Sequence, residues 1–140
     1  MGKYFSVREL TYSTTAKKYG IDNTPSAEIV SNIEELIAFL DGVRAAWGSA
    51  LLVSSGYRCE ELNTKVGGVK TSGHKTGYAV DLVPANNKKL QFFEFMKNYL
   101  NDKDFDELLF EINNQGTTWI HFCLKSVLGK QRRKIKMLQV

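Results

Sequence analysis

"ELLFEINNQGTTWIHFCL", residues 107–124, decides the fold. Two apolar runs, "ELLFEI" (107–112) and "TWIHFCL" (118–124), flank the turn-rich "NNQGT", and that arrangement predicts a β-hairpin. Successive strand residues face opposite ways, so Trp119, His121 and Cys123 share one face while Ile120 and Phe122 share the other. His121 therefore sits mid-strand between apolar neighbours, and a buried imidazole needs partners for its nitrogens. If the hairpin pairs Glu111 with Trp119, Glu111 lies on the His121 face, because diagonal cross-strand neighbours sit about 7 to 8 Å apart. A slip of one residue would turn it away.

Further strands lie upstream. "ALLVSS" (50–55) is a short apolar run, and "YAVDLV" (78–83) alternates, with Tyr78, Val80 and Leu82 on one face and Ala79, Asp81 and Val83 on the other. Helices fill the remainder. Ile29, Ile33, Leu36, Ile37, Leu40, Val43 and Trp47 recur at three- and four-residue steps, which specifies one long amphipathic helix, with Thr24 as its N-cap and Pro25 at its first position. A second helix is predicted from a cap at Asn87 through Leu100, with Leu90, Phe93, Met96 and Leu100 as its apolar stripe. Ser6 and Glu9 have capping-box spacing, and the short helical piece they open ends near Gly20. The fold class is α+β: a small antiparallel β-sheet with helices packed on one side.

The chain has 140 residues, of which 43% are hydrophobic, enough for one core without disulfides. We expect a single domain over residues 1–140, with 125–140 as a basic C-terminal tail. No window approaches the roughly 18 to 20 apolar residues of a membrane span, so no stable membrane insertion is expected. The start "MGKYFSVREL" lacks the apolar stretch of a secretory signal, which suggests synthesis in the cytoplasm without a signal peptide. Cys59 and Cys123 form no CxxC pair and are expected as free thiols.

Charge is uneven. Residues 112–140 carry six basic side chains and no acid, whereas the first 111 residues hold thirteen basic and fifteen acidic groups, so the net charge of +4 belongs to the tail. Such a tail is a solvated end, or it attracts an anionic polymer, either nucleic acid or a bacterial wall.

The stretch "SGHKTGYAVD" (72–81) places His74 in a glycine-flanked turn seven residues before Asp81. Taken singly, Asp81 reads as a buried acid paired with a lysine and His74 as a surface turn residue. With His121, the chain's second histidine, they make a His, Asp, His set, which meets the three-ligand requirement of a catalytic zinc site with a fourth position left for water. A closed structural site would instead recruit Cys59, His74, His121 and Cys123. One zinc ion in the open arrangement would acidify a water and polarise a carbonyl, which suits hydrolysis. Arg58, in "SSGYRCEELN", is the candidate cation for a substrate carboxylate or developing oxyanion, unless it is a surface arginine bridging to Glu60 or Glu61.

"SGYR" (55–58), "LN" and "VGG" (62–68), "SGHKTGYAVD" and "WIH" (119–121) together resemble the zinc D,D-carboxypeptidase and endolysin peptidase family, peptidase family M15. The match to the S-x-H-x-x-G-x-A-x-D pattern is the specific part, and "FSVRELTYSTTAKKYGIDNTPS" is similar to the entry segment of short phage and prophage members. The resemblance covers the chain up to about Leu124. It implies a hedgehog/DD-peptidase-like fold, metal ligands His74, Asp81 and His121, and substrate contacts from Arg58 and Ser72. It also implies a metallopeptidase that cuts bacterial peptidoglycan stem peptides, between terminal D-alanines or at the L-alanyl-D-glutamate bond. Many members carry an acidic base three residues before the second histidine. Thr118 stands there, so the general base is expected to be Glu111, across the hairpin. A non-catalytic, zinc-containing module that binds wall peptides is the alternative. The resemblance favours the wall over nucleic acid as the tail's partner. A monomer is expected, and the resemblance implies that it reaches the cell wall after release or as a virion component.

Overall fold

The computed structural model describes residues 2–140. Three helices come first. α1 (Val7–Thr11) is capped by the Ser6 hydroxyl, which accepts from the Glu9 amide at 3.1 Å. α2 (Thr14–Tyr19) ends on Gly20, whose φ of 65° closes the last turn in the left-handed region. α3 (Ala27–Trp47) is the long amphipathic helix. Its stripe is the predicted one: Ile33, Leu36, Ile37, Leu40 and Val43 are buried, with Ile29 and Trp47 packed against them. Its cap differs, because Ser26 rather than Thr24 accepts from the Ile29 amide. The Asp22 carboxylate takes the Thr24 amide instead, and this local turn delays the helix by two residues.

The sheet follows. β1 (Leu51–Ser55), β2 (Ala79–Pro84), β3 (Glu107–Ile112), β4 (Thr118–Cys123) and β5 (Lys134–Gln139) lie in the order β1-β2-β4-β3-β5. Between β1 and β2 run α4 (Glu60–Lys65) and a 3-10 turn (Gly73–Thr76), and α5 (Lys89–Tyr99) joins β2 to β3. The hairpin register pairs Glu111 with Trp119, as expected. Its turn is held by Asn113, whose side chain accepts from the amides of Gln115 and Thr117.

Two expectations about α5 fail. Asn87 is not its cap; it has φ of 61°, whereas a capping residue is extended. Leu90 is 57% exposed, and Phe92 takes its place beside Phe93, Met96 and Leu100 in the core. The cap falls one residue later, on Lys88, and the face turned to the core runs through Phe92, Phe93 and Met96, which leaves Leu90 toward solvent.

One face of the sheet, carrying Val80, Leu82, Leu108, Phe110, Ile120 and Phe122, packs with the α3 and α5 stripes into one apolar cluster. Burial of this face fixes the register, and fixing the register aims Asp81, Glu107, Glu111 and His121 at the opposite face.

The sheet is antiparallel except at one edge. Residues 125–140, expected as a basic tail, contain β5, which runs parallel to β3. Charge matching explains this ordering: Asp106 is 1% exposed and receives Arg132 through two 2.8 Å bonds, while the Arg133 and Lys134 amides bond the carbonyls of Phe105 and Asp106. No helix among the described residues is long and apolar enough to cross a membrane.

Candidate metal centre

The site grows from the centre of the sheet. Asp81 on β2 and His121 on β4 are direct cross-strand partners, with His121 Nδ1 3.0 Å from Asp81 Oδ1. A bulge in β1 between Val53 and Ser55 interrupts the ladder beside Asp81, and such irregularities re-aim side chains next to sites. His74 enters from the 3-10 turn, which Ser72 caps by accepting the His74 amide. Gly77 closes that turn with φ of 84° and packs so closely on α3 that an added Cβ would strike Ile33. The turn brings His74 Nε2 to 3.3 Å from Asp81 Oδ1.

The three donors are buried, and one ligand atom from each lies within 4.8 Å of the others. His74 Nδ1 faces the Gly56 carbonyl at 2.7 Å. Donating there leaves Nε2 bare and pointing at the cluster, the orientation that metal-binding histidines take. Two neutral imidazole nitrogens and a carboxylate oxygen suit zinc. The residues present fit one such ion.

Electrostatics agree with a cation site. Burial pushes the Asp81 carboxyl up, yet the two histidines more than reverse this and hold it below the usual carboxylate range. Burial pulls His121 down, but Asp81 and Glu107 outweigh it and push its pKa up to about 10. A negative carboxylate between two rings thus draws a positive charge into the cluster, from a proton or from a metal.

Around this centre stand the other expected residues. Arg58 does not bridge to Glu60 or Glu61; its guanidinium bonds Asn63 Oδ1 at 3.1 Å and the Ser55 and Ser72 hydroxyls at 3.4 Å. Burial lowers its pKa, opposed by Asp81 and Glu111. Ser72 therefore spends its oxygen on Arg58 and on the His74 amide. Glu111 is half-buried, and its Oε1 accepts from Trp119 Nε1 at 2.7 Å. Burial raises its pKa, with His121 opposing and Asp81 reinforcing the rise. Thr118 lies on the helix-facing side of β4, where its hydroxyl meets Lys89 Nζ at 3.1 Å. An acid at that position would face away from the metal donors. The closed four-ligand alternative is not built: Cys59 Sγ caps α4 and Cys123 Sγ bonds the Lys125 carbonyl. Among the described residues Asp81 is paired with the two histidines rather than with a lysine, and His74 is buried rather than a surface residue.

Several contributors were not anticipated. Gly56 supplies the carbonyl for His74, and a Cβ there would collide with the Leu10 carbonyl. Asn23, in the segment after α2, bonds the Thr11 and Tyr57 carbonyls and accepts the Cys59 amide, tying the end of α1 to the loop that carries Arg58. Asn63, 2% exposed, steers Arg58 and bonds the Val69 carbonyl. Beside this loop opens a cleft of about 650 Å³, whose walls include Arg8, Tyr12, Ser55, Tyr57 and Arg58.

An α+β domain in which two strands and a 3-10 turn bring three buried donors together, with a half-buried carboxylate on the neighbouring strand, has the donor set that metal-dependent hydrolases use. The comparison of families narrows this class. A family model described as Peptidase M15 matches residues 3–122, and the chain belongs to that family. It is therefore a peptidase of α+β fold with a cluster, His74, Asp81 and His121, able to hold one metal ion. A search of curated proteins finds no match.

Proposed function

We propose that the protein is a zinc metallopeptidase that hydrolyses the stem peptides of bacterial peptidoglycan. The observation that carries this reading is the convergence of His74, Asp81 and His121 on one face of the sheet, with Glu111 on the neighbouring strand of that face. A zinc ion, when bound, supplies Lewis acidity that brings the pKa of water toward neutrality. The protein's own groups do the rest.

Glu111 acts as general base, taking the proton from the attacking water and returning it to the leaving amine. Its raised pKa suits both transfers, because a carboxylate closer to neutrality in basicity accepts the first proton more readily. Trp119 pins one carboxylate oxygen, which fixes the group's direction and leaves the other oxygen free to reach the water. Among the described residues Arg58 makes no ion pair and rests on the neutral Asn63, Ser55 and Ser72, so its remaining N–H groups are available to a substrate carboxylate or to the tetrahedral oxyanion. Ser72 orients Arg58, and its remaining hydroxyl proton is directed to the bound peptide. The exposed Lys130 and Lys136 favour the polyanionic wall, where the protein acts after release or as a virion component.

Digestion of purified peptidoglycan followed by mass spectrometry of the released muropeptides tests the reading. Loss of a terminal D-alanine identifies a carboxypeptidase, and separation of L-alanine from D-glutamate identifies an endopeptidase. Either activity is expected to vanish with a chelator and return with zinc. A folded, zinc-loaded protein that leaves the muropeptides intact yet retains them would be a binding module instead.

A further inference from the structure

His121 reaches Asp81 through Nδ1, which commits its other nitrogen to a different task. That nitrogen, Nε2, lies 3.5 Å from Glu107 Oε1. Glu107 sits on the same sheet face as Glu111 and His121, one step diagonally along the β3–β4 ladder from His121. It is 19% exposed in its side chain, and the proposed hydrolysis gives it no role. Its second oxygen faces two cations from the C-terminal segment, Arg132 Nη2 at 3.4 Å and Lys134 Nζ at 3.5 Å. Arg132 is itself fixed by the buried Asp106. Both cations lie beyond the region that the family model matches.

We propose that Glu107 is a positioning residue for the metal centre: it holds His121 Nε2–H so that Nδ1 faces the ion, and Arg132 and Lys134 hold Glu107 in turn. A histidine ring has two edges, and rotation about its last side-chain bond exchanges them. Glu107 on one edge and Asp81 on the other define a single orientation. A carboxylate behind a metal-binding histidine also makes the ring a stronger donor. On this account the strand β5 is part of the site's construction, and the basic residues Arg132 and Lys134 serve inside the fold. The inference rests on His74, Asp81 and His121 binding a metal, and on no catalytic step.

Zinc affinity, measured by competition with a chromophoric chelator on the full chain, tests it independently of peptide cleavage. Glu107→Ala is expected to weaken zinc binding about 10- to 100-fold. Glu107→Gln retains a carbonyl that can accept from Nε2–H, and is expected to stay within about threefold of the wild type. Circular dichroism melting of the metal-free proteins separates this from a loss of fold. An Ala variant that is folded and binds zinc like the wild type overturns the proposal, and so does a Gln variant as weak as Ala, which would mean that charge alone matters. If Glu107→Ala does not fold, Lys134→Glu decides, since position 134 is partly exposed on an edge strand. A carboxylate there repels Glu107 from its seat and is expected to weaken zinc binding about fivefold. Added negative charge without displacement would tighten it, so unchanged or tighter binding overturns the proposal. A wild type without zinc affinity would refute the metal reading itself.

Discussion

Replacing Glu111 by glutamine is the sharpest perturbation of the proposed chemistry. The substitution keeps the side chain's shape, and the amide oxygen can still accept from Trp119 Nε1, which now lies 2.7 Å from Oε1. What is lost is the ability to carry a proton. General base catalysis contributes about 10²- to 10⁴-fold, so kcat is expected to fall by that factor, about 3 to 5 kcal/mol of transition-state stabilisation. The fold is expected to gain slightly. Burial raises the Glu111 pKa above its ordinary 4.5, so its contribution to stability is present below that value and lost as pH rises through the raised one. At neutral pH the ionised carboxylate is therefore a burden that glutamine does not carry. The assay is muropeptide release by the zinc-loaded proteins, paired with thermal melting. A base must be ionised, so activity falls along an acid limb as pH drops through the Glu111 pKa, which burial raises and a bound cation lowers. Trp119→Phe removes a bond that lowers this pKa and is expected to move the limb to higher pH. A Gln variant within threefold of wild-type activity, with zinc bound, would refute the assignment.

Thr118→Glu is expected to leave the Glu111→Gln variant inactive, because position 118 faces α5 and Lys89; recovered peptidoglycan hydrolysis would show that β4 can turn that side chain to the metal face. In the metal-free protein, His121 has a pKa pushed up to about 10 from 6.5, so its stabilisation is complete below about pH 6.5 and lost as pH rises through 10. Zinc requires the unprotonated ring, so the rise in melting temperature on adding zinc should grow across that range, and calorimetry with and without chelator measures it. Arg58→Lys keeps the charge but cannot reproduce the three-way anchoring on Asn63, Ser55 and Ser72, and should cost about 10- to 100-fold in kcat/KM with an unchanged melting curve. Asn23→Ala removes three hydrogen bonds between the first helices and the Tyr57–Cys59 loop, and should destabilise the protein by about 2 to 4 kcal/mol in urea titration.

Local patterns carried most of the architecture. The α3 stripe, the two hairpin strands and the alternation in β2 are legible because burial on one side imposes a period of 3.6 or 2 on the residues themselves. The donor set was legible for the same reason, since strand alternation put Asp81 and His121 on the polar face and the chain holds only two histidines. Glu107 was within reach of that logic, being four residues from Glu111 on the same strand face. Helix starts were less legible, because side-chain turns at Asp22 and Asn86 compete with capping for the same backbone amides.

Sequence by itself determined the α+β class, the two faces of each central strand and the candidate donors His74, Asp81 and His121, because alternation along a strand and the shortage of histidines are both written in the chain. Only the tertiary structure decided that Thr118 meets Lys89 and that Arg58 rests on Asn63 and two serines. It also decided that the basic end pairs as β5 against Asp106 and Glu107. Those outcomes depend on groups far apart in sequence meeting at a few ångströms. A run of lysines and arginines has the same pattern whether its charges meet water or buried carboxylates.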